Sequence, residues 1–405
     1  MENKITKISA EEIKDSRGNP TLKVTVFVGE LFDSFSVPSG ASTGAHEAHE
    51  LRDSDGKGVN IAIEKINKII VPALMGMDIL NQKEIDRVLI ELDGTPNKDN
   101  LGGNSMIGAS IACAKVAAKA SGVEVFEHLR TLAEIKPSRR IPHLYMNLIN
   151  GGKHAQNNLA FQEYHVVSNT EDAREAVEIG IKIQNSLKEI IEKDLGEGSL
   201  VLGDEGGYAP KISDIKKPLE YLYEAIKINK FENKVRLALD VASSSFFSEG
   251  KYKVDGKEIS KDELANLYNS LIKEFNLFSI EDSFDEEDFE SFAKLKEMEK
   301  DLIVVGDDLT VTNKTLLQEA INKKSVNGMI IKPNQIGTLS ETLETMYLAR
   351  ENDVELIVSH RSGETDDDFI ADLAYAFSCF GLKSGSPIKS ERMVKYERLI
   401  KISKL

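Results

Sequence analysis

The sequence predicts an α/β protein with an eight-stranded barrel of alternating strands and helices, preceded by an N-terminal α+β segment. Two observations lead to this prediction. Beyond residue 200, short apolar segments alternate with amphipathic stretches of helical period, and repeated strand–helix units are typical of parallel strands joined by crossover helices. Six of the apolar segments end in a polar residue, and the chemistry of such barrels lies at the carboxyl ends of their strands.

The first part of the chain has the pattern of an α+β domain. Apolar residues recur at every second position, the period of a half-buried strand, at Leu22, Val24, Val26 and Val28. A helix rich in small residues is predicted from the segment NSMIGASIACAKVAAKA. The basic segment EIKPSRRIP, residues 134–142, contains two prolines and indicates a linker. We therefore expect an N-terminal domain over residues 1–133 and a barrel over residues 140–405.

Composition and charge argue against several classes of function. The net charge of −16 disfavours nucleic acid and other polyanions, which require a basic surface. No apolar run approaches the roughly 20 residues that span a bilayer, and the N-terminus lacks the apolar segment of a secretory signal. Cys113 and Cys379 have no nearby partner in the sequence, which is typical of free thiols in a reducing compartment. We expect a cytoplasmic protein without a membrane span.

The residues that end the predicted strands can carry chemistry: Asp240, Glu281, Asp307, Lys332, His360 and Lys383. For one acid alone, a salt bridge at a strand end is the simpler explanation. Three carboxylates on successive strands would repel one another, however, and they offer only hard oxygen ligands. The set therefore favours a divalent cation, and Mg²⁺ above the others.

Lys332 ends an apolar strand and is followed by Pro333, which terminates the strand and favours an extended backbone at the lysine. An ordinary lysine has a pKa of about 10.4, too high for a base at neutral pH. The ammonium of Lys383 and a bound metal would lower the pKa of Lys332. We expect a neutral lysine that removes a proton from carbon. For a lysine acting alone, a side chain that reaches solvent would be the better explanation.

Elimination also requires a general acid, and GDEGGYAP offers Glu205 after an apolar segment. Weaker candidates lie in the motifs GGKHAQN, FQEYH and SHRSG: His154, Gln162, Glu163, His360, Arg361 and Ser362. A guanidinium and a hydroxyl suit a phosphate or a carboxylate. The open segment PSGASTG is consistent with a mobile lid, or with an ordinary surface loop.

Together the motifs resemble those of the enolase family, in the family's order and over nearly the whole chain: DSRGNPT, PSGASTG, NLINGGKHAQNN, GDEGGYAP, DVASS, IEDSF, GDDLTVTN, IKPNQIGT, SHRSGET, IADLA and KSGSP followed by SER. The resemblance implies a modified TIM-like (β/α)8 barrel and an N-terminal α+β capping domain with a mobile lid loop. It also implies the reversible Mg²⁺-dependent dehydration of 2-phosphoglycerate to phosphoenolpyruvate. Pro333 after the lysine resembles the archaeal-type members.

The resemblance implies a role for each candidate residue. Lys332 is similar to the base that takes the C2 proton, and Glu205 to the acid, assisted by Glu163. The implied ligands of the first Mg²⁺ are Asp240, Glu281 and Asp307, and Ser42 in the lid would help to hold a second Mg²⁺ that arrives with the substrate. The implied substrate contacts are His154, Gln162, Glu163, Lys332, His360, Arg361, Ser362 and Lys383.

The resemblance further implies a homodimer or a higher homo-oligomer. Two other functions stay open from the sequence. One is a different reaction of the same superfamily, such as racemisation, cycloisomerisation or loss of ammonia, against which the lid motif and SHRSG argue. The other is a non-catalytic binding protein on the same scaffold, against which the complete set of catalytic residue types argues.

Overall fold

Within residues 3–40 and 44–405, which the computed structural model describes, the chain forms two small antiparallel sheets and a closed barrel of eight strands. The N-terminal sheet consists of β1 (Lys7–Lys14), β2 (Pro20–Val28) and β3 (Leu31–Ser36). β2 lies between the other two strands. The predicted alternation along β2 is confirmed, because its apolar residues are all buried: Leu22, Val24, Val26 and Val28.

Helices cover one face of this sheet: α1 (Asn60–Lys65), α2 (Val71–Leu74), α3 (Gln82–Asp93), α4 (Gly103–Ser121) and α5 (Val125–Leu132), with a π-helical turn at Ile66–Ile70. α4 packs on β2 and β3, and nearly all of its residues are buried, as expected of a helix that is apolar on every face. In the described residues no single helix is long and apolar enough to cross a membrane; α4 and α5 meet that test only jointly, across a bend of 107°.

The barrel follows a connection without regular structure. Its strands are β4 (His143–Asn150), β5 (Glu163–Ser168), β6 (Val235–Asp240), β10 (Ser279–Glu281), β11 (Ile303–Gly306), β12 (Gly328–Ile331), β13 (Glu355–Ser359) and β14 (Gly381–Lys383). The second small sheet consists of β7 (Phe247–Ser248), β8 (Lys251–Val254) and β9 (Lys257–Ile259). The surrounding helices are α6 (Ala173–Leu195), α7 (Lys217–Ile228), α8 (Lys261–Phe275), α9 (Phe289–Met298), α10 (Lys314–Asn322), α11 (Leu339–Glu351), α12 (Phe369–Ala376) and α13 (Ser390–Ile402).

The parallel strands predicted beyond residue 200 are confirmed. The barrel differs from a regular β/α barrel at β5. β5 runs antiparallel to both β4 and β6, because the segment that joins β4 to β5 contains no crossover helix. In this register Glu163, the first residue of β5, lies opposite Asp240, the last residue of β6. The reversed strand therefore presents its amino end where its neighbours present their carboxyl ends.

The inside of the barrel is a packed core. Side chains from six of its strands form one buried cluster: Tyr145, Val167, Ala238, Val305, Ile330 and Ile357. Such layers fill the interior of β/α barrels and leave no pore. The polar residues at the carboxyl ends of the strands therefore lie directly next to this apolar core.

The N-terminal unit holds the start of α11, which follows Lys332 closely. The buried Asp86 carboxylate on α3 accepts hydrogen bonds from the Ser110 hydroxyl at 2.6 Å and from the backbone N–H of Ser340 at 2.9 Å. The Lys98 ammonium lies 2.8 Å from the Glu341 carboxylate. These contacts join the small sheet unit to the barrel beside its polar end. Both cysteines are buried and free, as predicted.

Candidate active site

The carboxyl end of the barrel brings the predicted site residues together. Three are the last residue of their strand: Asp240, Glu281 and Lys383. Three directly follow their strand: Asp307, Lys332 and His360. The cavity at this end is lined by most of the predicted residues: His154, Gln162, Glu163, Glu205, Asp240, Asp307, Lys332, His360, Arg361, Ser362 and Lys383. Glu281 contacts Lys383 beside the cavity, and Ser42 lies outside the described residues.

The Lys383 ammonium stands among three buried carboxylates. Its Nζ lies 2.9 Å from Asp240 Oδ2, 2.9 Å from both oxygens of Glu281, and 3.3 Å from Glu163 Oε2. Burial, followed by the charge of Asp240, raises the pKa of Glu281 well above its ordinary value, although Lys383 opposes this shift. The arrangement thus concentrates negative charge that requires a cation.

Two further acids extend this cluster, and the sequence analysis missed them. Ligand atoms of Asp282, Asp307 and Asp308 lie within 4.8 Å of one another. The Asp282 carboxylate accepts hydrogen bonds from the backbone N–H groups of Asp307 and Asp308, both at 2.9 Å. Burial, followed by the charge of Asp307, raises the pKa of Asp308 to about 8. Hard oxygen donors packed this closely fit a divalent cation, which Asp282, Asp307 and Asp308 could hold. Asp240 and Glu281 contact Lys383 in this structure.

The backbone of Lys332 is extended, with φ of −127°, as Pro333 predicts. The sequence analysis expected Lys383 and a bound metal to lower the pKa of Lys332, and the charge of Lys383 does lower it. Burial lowers the pKa of Lys332, as do the charges of Arg361 and Lys383, but the charge of Asp307 outweighs them and the pKa is raised. The Lys332 ammonium forms a direct ion pair with the Asp307 carboxylate, which the sequence analysis treated only as a metal ligand.

Glu205 and Glu163 occupy the opposite side of the cavity, and their pKa values are shifted in opposite directions. Burial, followed by the charge of Glu163, raises the pKa of Glu205. Burial also raises the pKa of Glu163, but Lys383, His154 and His165 outweigh it, so this pKa lies well below its ordinary value. A pair of carboxyl groups with separated pKa values is typical of one proton donor beside one permanent anion.

Glycines allow the loop that carries Glu205 to pack closely on β4. At Gly203 an added Cβ would lie 2.6 Å from the Asn150 Cβ, and Gly206 has a φ of +85° that other residues rarely adopt. A side chain at either position would displace the loop. The two glycines therefore explain how Glu205 comes to be buried inside the barrel end.

Arg361 lies on a third side of the cavity and has partners that the sequence analysis did not include. Its Nη1 lies 2.8 Å from Glu47 Oε2 and donates to Asn334 Oδ1 at 3.1 Å. Gln335 Nε2 donates to Glu47 Oε1 at 3.3 Å and to Asp307 Oδ1 at 2.9 Å. Glu47 follows the PSGASTG motif, so these contacts connect the segment after that motif to the barrel.

Amides on β4 also belong to the site, and the sequence analysis missed them. Asn147 Nδ2 donates to Glu205 Oε2 at 2.9 Å. In the described residues both polar atoms of the Asn150 amide are buried without a hydrogen-bond partner, and so is Gln162 Oε1. Buried polar atoms are nearly always hydrogen-bonded in native proteins, so Gln162 Oε1, which belongs to a residue lining the cavity, points to a polar ligand. Asn147, an amide among apolar residues inside β4, is the signal that could have revealed the contact with Glu205.

The arrangement combines four chemical capacities in one cavity. A partly buried lysine, Lys332, can exchange a proton with carbon when its ion pair with Asp307 is relieved. Glu205, a carboxyl group whose pKa is raised, is suited to donate a proton. A cluster of carboxylates can hold a cation, and Arg361 can bind an anion. These capacities suit removal of a proton from carbon followed by loss of a neighbouring hydroxyl.

Comparisons with known proteins agree with this chemistry. The model of the enolase N-terminal domain matches residues 5–129, and that of the enolase C-terminal TIM barrel domain matches residues 138–405. Similar curated proteins carry the name enolase. That of Methanocaldococcus jannaschii is 44% identical over 404 residues, covering 98% of this chain and 94% of its own. Those of Sulfurisphaera tokodaii and Thermococcus gammatolerans are each 44% identical, covering 98% and 99% of this chain and 95% of their own.

Replacing Lys383 tests the charge balance of the cluster. We expect Lys383→Met to lower the free energy of unfolding at neutral pH by roughly 3–5 kcal/mol, because buried carboxylates lose their counter-ion. Lys383 lowers the pKa values of Glu281 and Glu163, so without it the native state binds more protons and regains stability as the pH falls. Denaturant midpoints at neutral and mildly acidic pH measure both effects.

The matched control for this variant is Lys217→Met, whose ion pair with Asp194 is exposed at 3.2 Å. It should change stability by less than about 1 kcal/mol at either pH. A Lys383→Met protein whose deficit stays constant as the pH falls would contradict the charge-balance explanation.

Proposed function

Because this chain belongs to the enolase family, we propose that it catalyses the reversible dehydration of 2-phosphoglycerate to phosphoenolpyruvate, a carbon–oxygen lyase reaction of glycolysis and gluconeogenesis. The observation that carries the proposal is that Lys332, Glu205 and Glu163 line one cavity. The two carboxyl groups have different partners there: two histidine nitrogens lie 3.2 Å and 2.9 Å from Glu163, whereas an amide, Asn147, donates to Glu205. A proton donor and a lysine base at one site are what an elimination needs.

Substrate binding is assigned by charge. Arg361 and Ser362 would take the phosphate, since a guanidinium and a hydroxyl suit its oxygens. His154, Gln162, His360 and Lys383 would make the other polar contacts, and the partnerless Gln162 Oε1 supports this assignment. An anion at Arg361 would compete with Glu47, its present partner.

The metal belongs to the same proposal. Asp240, Glu281 and Asp307 would hold the first Mg²⁺, and Ser42 would help to hold a second that arrives with the substrate. A cation held there would supply positive charge to the site, and Asp307 would then serve as its ligand as well as the partner of Lys332. The convergence of the Asp282, Asp307 and Asp308 carboxylates within 4.8 Å supports a cation at this place, because like charges this close disfavour one another's ionised form.

Lys332 would remove the C2 proton. Burial and the charges of Arg361 and Lys383 favour its neutral form, and Asp307 opposes them. The Lys332 ammonium would first release its proton to solvent, and the neutral amine that results would have the lone pair that takes the C2 proton. The extended backbone at Lys332 and the hydrogen bond from its N–H to Thr312 Oγ1, at 2.9 Å, fix the origin of the side chain.

Glu205 would then protonate the departing hydroxyl on C3. Burial and the charge of Glu163 raise its pKa, which favours the protonated form that a proton donor requires. Glu163 assists because its charge, held by Lys383 and by His165 Nε2 at 2.9 Å, disfavours ionisation of Glu205. In the reverse reaction, the same carboxylate would take a proton from water.

The proposal also covers the setting of the enzyme. Residues 1–133 would cap the catalytic barrel of residues 140–405 and carry the lid. The protein would act in the cytoplasm as a homodimer or higher homo-oligomer, without a nucleic-acid partner.

Turnover of 2-phosphoglycerate tests the function directly. With Mg²⁺ present, we expect the ultraviolet absorbance of the enol phosphate to rise, and with a chelator we expect the rise to stop and to resume when Mg²⁺ is restored. Absence of turnover in a folded, Mg²⁺-supplied protein would contradict the proposal.

Lys332→Ala should abolish exchange of the C2 proton with solvent while folding and Mg²⁺ binding persist. We expect a loss of at least ~10²–10⁴-fold, the contribution of a general base. Isotope exchange at C2, followed by mass spectrometry, measures it. The control is Lys296→Ala, since Lys296 Nζ donates to the carbonyl of Val326, which lies two residues before the start of the strand that Lys332 follows. Exchange near the wild-type rate in Lys332→Ala would refute the base assignment.

Glu205→Gln should separate the two steps of the reaction. The variant keeps the base, so exchange at C2 should continue, while formation of phosphoenolpyruvate should fall by ~10²–10⁴-fold because the acid is lost. Glu197→Gln, an exposed change in the preceding segment, should leave both rates unchanged. Equal losses of exchange and product formation would show that Glu205 positions the substrate or the metal instead.

A further inference from the structure

Helix α13 carries a fully buried arginine that contacts residues lining the active-site cavity. Arg392 has no exposed surface. Its Nη1 contacts His360 Nδ1 and donates to the carbonyl of Arg361 at 2.6 Å, and its Nη2 donates to the carbonyl of Ser362 at 2.8 Å. One guanidinium therefore binds the three consecutive residues that follow β13, and all three line the cavity.

The contact with Arg392 decides the tautomer of His360. A guanidinium has only N–H donors and stays protonated, so His360 Nδ1 must accept with its lone pair. A neutral imidazole that accepts at Nδ1 carries its hydrogen on Nε2. Burial, followed by the charge of Arg392, holds the pKa of His360 well below its ordinary value, which agrees with a neutral ring.

Two nitrogens lie beside one particular oxygen of Glu205, Oε2. Asn147 Nδ2 donates a hydrogen bond to it at 2.9 Å, and His360 Nε2 lies 3.4 Å from it, close enough for its N–H dipole to act on the oxygen without a hydrogen bond. The other oxygen, Oε1, lies 3.6 Å from His154 Nδ1, and within the described residues only Oε2 accepts a hydrogen bond. Donors favour charge on the oxygen that they contact, so the proton of Glu205 belongs on Oε1.

The geometry assigns Arg392 and Asn147 as positioning residues that determine which oxygen of Glu205 carries the proton for the departing hydroxyl. Arg392 acts through the tautomer of His360, and Asn147 acts directly. This assignment rests on the proposed function, in which Glu205 is the acid. Without these donors the proton would distribute over both oxygens of Glu205. A fraction of the enzyme molecules would then carry it on Oε2, beside His360, and not on Oε1, on the side of His154 and Glu163.

The first test measures the tautomer without substrate. The wild-type protein is labelled with ¹⁵N at its seven histidines, and a His360→Gln sample assigns the signals of His360. We expect the ¹⁵N shifts of a neutral ring with its hydrogen on Nε2 at neutral pH. A ring with its hydrogen on Nδ1, or an imidazolium, overturns the assignment. Because no turnover is involved, this result is independent of the proposed function.

The second test uses Arg392→Lys, which keeps a positive charge but loses the planar fork. We expect exchange at C2 near the wild-type rate, dehydration reduced by roughly 10–100-fold, a typical effect of losing an orienting partner, and a His360 signal that shows both tautomers. Asn147→Ala should likewise reduce dehydration more than exchange at C2, without changing the tautomer of His360. It serves as the second variant if Arg392→Lys does not fold.

The control is Arg350→Lys. Arg350 is also buried and donates to the backbone carbonyls of Lys136 and Val354, away from the cavity, so both rates should stay unchanged. Equal losses of exchange and dehydration in Arg392→Lys and Asn147→Ala would indicate a purely structural role and overturn the assignment. A wild-type protein with the expected tautomer but no turnover of 2-phosphoglycerate would contradict the proposed function alone.

Discussion

The balance of charge around Lys383 is the constraint on which the site depends. Two unit charges 4 Å apart interact by about 4 kcal/mol at the effective dielectric of a protein surface, so several buried carboxylates at one barrel end require a cation. Lys383 lies within 3.3 Å of Asp240, Glu281 and Glu163. Burial lowers the pKa of Lys383, but these acids outweigh it and hold the pKa well above its ordinary value. The cluster and its counter-ion therefore stabilise each other's charge.

The opposite functions proposed for Lys332 and Glu205 follow from the same distribution of charge. Glu205 is buried and Lys332 is partly buried, and loss of solvent alone favours the neutral form of both. The charge of Glu163 further raises the pKa of Glu205 and favours its protonated form, whereas the charge of Asp307 raises the pKa of Lys332 and favours its ammonium form. A ligand that binds Asp307 would thus change the protonation of Lys332 more than that of Glu205.

Much of the support for the site comes from outside the barrel strands. Glu47 contacts Arg361, and Asp86 holds the first turn of α11. Arg392, on the last helix of the barrel, binds the residues after β13. The cavity is therefore enclosed by the N-terminal unit on one side and by the C-terminal helix on another, so changes in either would reach the catalytic groups.

The sequence by itself determined the architecture and the chemically active residue types, because the strand period, the polar strand ends and the glycine-rich loops are local properties of the chain. It could not show that Lys332 pairs with Asp307, that Asp282 and Asp308 extend the acidic cluster, or that Asn147 and Arg392 contact the catalytic groups. These contacts join residues up to 58 positions apart in sequence, and no local pattern encodes them. The pKa directions were decided only by the tertiary structure, because they depend on burial and on the distances between charges.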